Sequence, residues 1–276
     1  MPEPGDDGLA RLRPAAVAGS FYPSDAARLA AAVERLLRDA GAVKAAPSLQ
    51  GLIVPHAGYR YSGPIAASGY SLLRAGAAAI DRLVLIGPAH FVPLYGAAVP
   101  AADGWLTPLG PVGIDSDLAH HARALGARVD DAPHAPEHAL EVQLPFLQIV
   151  LGHHVPILPV AVGVAETEWV ADLLGALLGS GAFLIVSTDL SHYHADATAK
   201  AQDRRTAAAI TARDPDAIGR DDACGVVALR GALEWARRTD LAVGLLDLRT
   251  SADTAGDPSR VVGYGAFALT RGPGAR

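Results

Sequence analysis

Apolar positions along the chain follow two alternating rhythms. Short apolar runs occur at 51–54 (GLIV), 82–86 (RLVLI), 157–162 (ILPVAV), 183–187 (FLIVS), 243–248 (VGLLDL) and 261–268 (VVGYGAFA). Between them, segments 24–40, 65–76, 138–151, 166–179, 198–212 and 225–239 carry apolar residues at helical spacing. Successive residues of a strand point to opposite sides of a sheet, so a continuously apolar strand needs cover on both faces. Strands alternating with helices therefore predict an α/β fold: a single three-layer domain with a mostly parallel or mixed central sheet flanked by helices. There is no internal repeat and no linker long enough to divide the chain; "AGAVKAAPSLQ" (40–50) and "RDPDAIGRDDAC" (213–224) read as loops within one domain.

Three of the apolar runs finish in the same way. "LIVPH" ends at His56, "LVLIGPAH" at His90, and "LIVSTDLSH" carries Asp189 and His192. In an open α/β sheet, ligands bind beyond the carboxyl ends of parallel strands. If these strands run parallel, the three histidines crowd one edge. The recurrence is what points to a shared site; singly, each would read as a hydrogen-bonded loop histidine.

Composition narrows the function classes. Half of the 276 residues are hydrophobic, enough for a sizeable core, and the net charge of −6 gives no basic surface for nucleic acid. No apolar run reaches the roughly 18–20 residues of a membrane helix, and the acidic start "MPEPGDDGLARLRP" has no hydrophobic signal core. These features predict a cytoplasmic protein without a membrane segment. Cys224, the lone cysteine, excludes an internal disulfide.

Neutral imidazole is both the commonest metal ligand and the commonest general base. His56 and His90 each follow a strand and a proline-containing turn, which fixes their position. Cys224 stands just before a helix predicted from about Gly225, where unpaired N–H groups are expected to lower the thiol pKa. Two histidines and one thiolate with an open position suit Fe(II), copper or zinc and are poor for Mg or Ca. Asp221 and Asp222 are nearby alternatives for a carboxylate donor. In "STDLSHYHAD", Asp189 stands three residues before His192; it can orient the imidazole or cap a helix, and His194 reads as surface. In "APEHALEVQLPFLQ", Glu137, His138 and Glu141 fall at the start of the predicted helix, ordinary places for capping acids. The pairs His120–His121 and His153–His154 read as helix surface and loop. Phosphate-loop, dinucleotide, H-E-x-x-H and G-x-S-x-G signatures do not occur.

Taken together, "RPAAVAGSFYP" (13–23), "PHAGYRYSG" (55–63), "IGPAHFVPL" (86–94), "TPLGPVGID" (107–115), "EHALEVQLPFLQ" (137–148), "STDLSHY" (187–193), "ACG" (223–225) and "VVGYGAFAL" (261–269) resemble the Memo-like family, in bacteria also called AmmeMemoRadiSam system protein B. The resemblance runs in order from about residue 13 to 270. It implies a single domain over 13–270, a leader over 1–12, a tail over 271–276, and the fold of the class III extradiol (LigB-like) dioxygenases. It also implies a metal site of His56, His90 and Cys224, catalytic groups at His192 and Asp189, and further pocket positions at His138 and Glu141. The dioxygenases use a carboxylate as third ligand where this chain offers Cys224, and a thiolate alters the electronics of iron and invites copper.

The expected function is that of a metal-binding, dioxygenase-like oxidoreductase or redox protein, with iron(II) the leading cofactor, copper second and zinc third. The alternative is a non-catalytic peptide- or protein-binding module, with Tyr59, Tyr61 and Trp105 lining a groove, acting with radical SAM and AMMECR1-like partners. A zinc hydrolase using Asp189 or Glu141 as base is the third reading.

Overall fold

The computed structural model of the protein describes residues 11–41, 48–74, 80–152 and 155–272. Most of the expected 40–50 loop, the His153–His154 pair, residues 1–10 and residues 273–276 lie outside the described residues. The first half of the chain comprises β1 (Leu12–Arg13), α1 (Ala26–Asp39), β2 (Leu49–Val54), α2 (Gly63–Arg74), β3 (Leu83–Pro88), β4 (Ala97–Val99), β5 (Gly104–Thr107), β6 (Gly110–Gly113), α3 (Ser116–Ala124) and β7 (Arg128–Val129). The second half comprises α4 (Leu144–Leu151), β8 (Ile157–Val162), α5 (Thr167–Leu178), β9 (Phe183–Ser187), β10 (His192–His194), α6 (Asp196–Ala212), α7 (Val226–Arg238), β11 (Leu241–Thr250) and β12 (Val261–Arg271). Regular structure thus reaches one residue into each of the segments expected as leader and tail.

The apolar runs explain the layers. Along β2, Leu52 and Val54 pack into one core and Ile53 into the other; along β3, Leu83 and Leu85 oppose Val84 and Ile86; along β9, Phe183 and Ile185 oppose Leu184 and Val186. Each face therefore receives alternate residues of the same strand, and helices cover both. On one face, α1 buries Leu29, Val33 and Leu37, spaced four apart, after Asp25 caps its first turn by accepting the Arg28 N–H. On the other, α5 buries Val170, Leu173, Leu174 and Leu177, and α7 buries Leu229, Ala232, Leu233 and Ala236.

The main sheet runs in the order β10-β12-β2-β9-β3-β8-β4-β7, with β11 on the outer side of β12. The centre is parallel: β9 pairs with β2 on one side and β3 on the other, and β3 pairs with β8. Strand β12 runs antiparallel to β2 and to β11, and β4 antiparallel to β8, so the sheet is mixed. A second, three-stranded sheet, β1-β5-β6, closes through a turn at Gly110, whose φ of 114° lies where glycine is favoured.

The expected helix over 138–151 starts later. Residues 141–143 form a single 3-10 turn and α4 begins at Leu144. The Glu137 carboxylate accepts the His138 and Ala139 N–H groups, both at 2.9 Å, and so holds 137–139 as a turn. This displacement shapes the site.

Candidate metal centre

Because β2, β9 and β3 are adjacent and parallel, the residues just past their carboxyl ends meet. His56 lies two residues beyond β2, Asp189 two beyond β9, and His90 two beyond β3. The turn at 137–139 adds His138. One ligand nitrogen from each of His56, His90 and His138 falls within a group whose members all lie within 4.8 Å of one another. The His56 ring lies 5.3 Å from each of the other two, nearly perpendicular to both, and the His90 and His138 rings stack at 5.0 Å. Phe21, 4.7 Å from His138, and Phe91, 5.8 Å from it, form the apolar walls.

Hydrogen bonding fixes which nitrogens are free. The Ser187 hydroxyl donates to the Ala139 carbonyl at 2.7 Å and accepts from Gln143 Nε2 at 2.9 Å. Its proton is therefore committed, and it accepts from His56 Nδ1 at 2.9 Å. His90 Nδ1 donates to Glu137 Oε1 at 2.9 Å, and the other oxygen of Glu137 accepts the His90 backbone N–H at 2.6 Å. His138 Nδ1 lies 3.2 Å from the same Oε1. The Nδ1 atoms of His56 and His90 are thus held by protein partners, which leaves their Nε2 lone pairs for a ligand's place, an arrangement typical of metal-binding histidines; His138 Nδ1 lies near Glu137 without a hydrogen bond.

Electrostatics favour the neutral, ligating form of His56. Burial, followed by the neighbouring His138 and His90, holds the His56 imidazole well below its ordinary pKa. Burial by itself would raise the Glu137 carboxyl, yet hydrogen bonds from His138 and His90 hold it well below the usual carboxylate range. Burial pushes Asp189 up, opposed by the His56 N–H, which Asp189 Oδ1 accepts at 2.7 Å.

Cys224 Sγ stands 3.2 Å from His56 Nε2 and accepts the Asp189 N–H at 3.3 Å. Its thiol is not acidified by the helix that follows: burial, with Asp189 adding to it, pushes its pKa up to about 12. The expectation of a lowered value fails because desolvation of a buried thiolate outweighs the N-terminal amides of α7. In the metal-free chain the neutral thiol donates to His56 Nε2. The third member of the cluster is thus His138, expected only as a pocket residue, while Cys224 is beside His56 as a further donor.

His192 is not oriented by Asp189. Its Nδ1 donates to the Leu190 carbonyl at 2.8 Å, and no helix follows for Asp189 or Ser191 to cap, since β10 begins there. The His192 imidazole acts electrostatically on both His56 and Asp189, while the three-histidine cluster does not include it. Glu141 faces away from the cluster, fully buried and ion-paired with Arg13 at 2.7 Å. Tyr59 is a core residue whose hydroxyl donates to the Val142 carbonyl at 2.6 Å. Trp105, in the second sheet, is completely buried under the Arg13 guanidinium, so it lines no groove; Tyr61 is exposed. Asp222 accepts from Gly219 N in its own loop and from Gln202 Nε2 on α6, and His120 and His121 are on the surface. Glu137, Ser187 and Gln143 hold the histidines, and no sequence pattern assigns them that role. Glu137 beside His138 was the one available signal, and capping explained it equally well.

An α/β domain with three imidazoles gathered at the carboxyl edge of its parallel strands defines a class of candidate metal-binding proteins. A sequence model of the family described as Memo-like protein matches residues 13–268, and the chain belongs to that family. MEMO1 family proteins of Methanopyrus kandleri and Methanosarcina acetivorans are 36% and 34% identical to it, covering 94% and 93% of this chain and 99% and 98% of those proteins. The MEMO1 family protein of Aquifex aeolicus is 34% identical over 267 residues, covering 92% of this chain and 97% of that protein. Among solved structures, an uncharacterized protein from Escherichia coli K12 superposes with a TM-score of 0.54 at 13% identity, covering 80% of this chain and 99% of that one, a likeness of fold alone. Among the described residues, no helix is long and apolar enough to cross a membrane.

Proposed function

We propose that this Memo-like protein is a metal-dependent, dioxygenase-like oxidoreductase in which His56, His90 and His138 hold the ion and Cys224 is a further donor. The observation that carries the reading is the convergence of three imidazoles within 4.8 Å, two of them, His56 and His90, with Nδ1 hydrogen-bonded to the protein. Nitrogen donors with a neighbouring sulfur suit Fe(II), copper or zinc and fit Mg or Ca poorly, and the dioxygenase-like reading puts iron first and copper second. When bound, such an ion supplies Lewis acidity and redox capacity. The chain's own groups supply the rest. His192, with its Nδ1 committed to Leu190, keeps Nε2 free to take a proton from a substrate hydroxyl. The buried Asp189 carboxyl, on which the His192 imidazole acts electrostatically, is a second proton acceptor. Cys224, protonated in the metal-free chain, must release its proton to become a donor.

Untagged protein purified without added metal is expected to carry iron or copper by mass spectrometry, and His56→Ala to lose it while the circular dichroism spectrum is kept. Undiminished metal in His56→Ala overturns the ligand assignment. Oxygen uptake by iron-loaded protein with catechol-type substrates tests the reaction class. A second reading, a non-catalytic peptide-recognition pocket working with radical SAM and AMMECR1-like partners, is favoured by the exposed rings of Phe91 (58% exposed) and Tyr193 (63%), which adjoin His90 and His192. Metal binding without turnover, together with partner capture, supports that reading.

A further inference from the structure

We propose that Asp203, a residue of α6 outside the site, sets the tautomer and direction of His192 through one peptide group, that joining Leu190 to Ser191. The two hydrogen bonds that define this arrangement share a single peptide plane. Asp203 Oδ1 accepts the Ser191 N–H at 3.0 Å. The carbonyl of the same peptide, Leu190 O, accepts His192 Nδ1–H at 2.8 Å. A carbonyl only accepts, so Nδ1 carries the ring proton and Nε2 is left with the lone pair. A carboxylate on the N–H side of an amide draws the amide's polarisation further toward its oxygen, which makes that oxygen a better acceptor.

The peptide is held against rotation. Leu190 N–H donates to Gly263 O, and Gly263 N–H donates to Ser191 O, both at 2.8 Å. Gly263 also makes room for the carboxylate: a Cβ there would come within 2.0 Å of Asp203 Oδ2. Asp203 is 1% exposed; its Oδ1 takes the Ser191 N–H, and its Oδ2 makes no hydrogen bond. The residue expected to orient His192, Asp189, spends its Oδ1 on the His56 backbone. Asp203 therefore fills the positioning role that Asp189 does not, from behind the loop rather than from within the site. The functional importance of this role rests on the reading of His192 as the site's proton acceptor; the tautomer itself does not.

The test uses the metal-free full chain labelled with nitrogen-15. Long-range proton–nitrogen correlation spectra report each imidazole tautomer, and a His192→Gln variant assigns the His192 signals. The wild-type ring is expected to show a protonated Nδ1 and an unprotonated Nε2. Asp203→Leu removes the acceptor, and the two His192 nitrogens are expected to shift toward the averaged positions of an exchanging ring. Under the same substitution the His56 and His90 nitrogens are expected to keep their wild-type positions, which separates the effect from general loosening. In Asp203→Asn the amide oxygen still accepts the Ser191 N–H, so the wild-type tautomer is expected to be rescued, with the Ser191 amide proton moved upfield by the weaker neutral acceptor. Unchanged His192 nitrogens in Asp203→Leu overturn the proposal. If that variant does not fold, an unmoved Ser191 amide proton in Asp203→Asn overturns it instead. Failure of the wild-type chain to bind metal overturns the proposed function and leaves this result standing.

Discussion

Glu137 and Glu141 are the same residue type, four positions apart, and both are completely buried. Their surroundings make them different instruments. Glu137 accepts the backbone N–H groups of His90, His138 and Ala139 and the Nδ1 of His90, so its charge is directed at the histidine cluster. Glu141 accepts from Arg13 and Ala16 N at 2.7 Å, Val17 N at 3.0 Å and the Tyr22 hydroxyl at 2.6 Å, so its charge fastens the N-terminal segment to the domain. Arg13 bridges the two regions, since it also donates to the Glu137 and His134 carbonyls. A buried carboxylate thus reveals little by its type or its burial; its donors decide whether it serves a site or a scaffold.

The largest test of this contrast is Glu141→Ala. It leaves the Arg13 guanidinium buried without its counter-charge, and a loss of about 3–5 kcal/mol in urea unfolding is expected. Metal content measured in native buffer should be retained. A loss of metal with little change in stability would reverse the roles assigned to the two acids.

A second test concerns acid. His134, on the Arg13 side, is fully buried and donates from Nε2 to the Ala98 carbonyl; burial lowers its pKa from 6.5 to about 4. The unfolded chain therefore binds a proton that the folded chain refuses. Stability should fall as the pH drops from 6.5 to about 4 and lose nothing more from this group below that. The His134 share of that fall is on the order of 3 kcal/mol. His134→Gln, which keeps a donor for Ala98, should flatten the slope over that interval in denaturant titrations at several pH values. An unchanged slope would remove His134 from the scaffold's acid sensitivity.

The smallest expected effect is on the site side. Glu137→Gln keeps the shape and an acceptor but removes the charge behind His90 and His138. Metal affinity should fall about 10–100-fold in competition with a chelator. Equal affinities for the two proteins would mean that Glu137 is scaffold as well.

Much of the fold was legible along the chain. The six apolar runs became β2, β3, β8, β9, β11 and β12, and the six helical segments became helices, because each is long enough to carry a period. Strands β1, β4, β7 and β10 have two or three residues each, too few for any period to register, and β5 and β6 of the second sheet have only four, rich in glycine and without an apolar run. At the site, His56 and His90 were readable because each ends an unmistakable strand. His138 and Glu137 were read as helix-start chemistry because the spacing from 138 to 151 is helical throughout, while the turn that interrupts it is held by long-range contacts from Ser187 and His90. The acidity of Cys224 departs from the helix-start expectation because position before a helix is local information and burial is not.

The sequence by itself determined the alternation of strand and helix, the two-sided burial of the central strands and the placement of histidines at strand ends, since these follow from side-chain periodicity within short windows. Tertiary structure alone decided that β9 lies between β2 and β3, that His138 joins the cluster, and which nitrogen of His56 and of His90 is free. Those outcomes depend on hydrogen-bond partners such as Glu137, 47 residues from His90, and Ser187, 131 residues from His56, which only the packed sheet brings within reach.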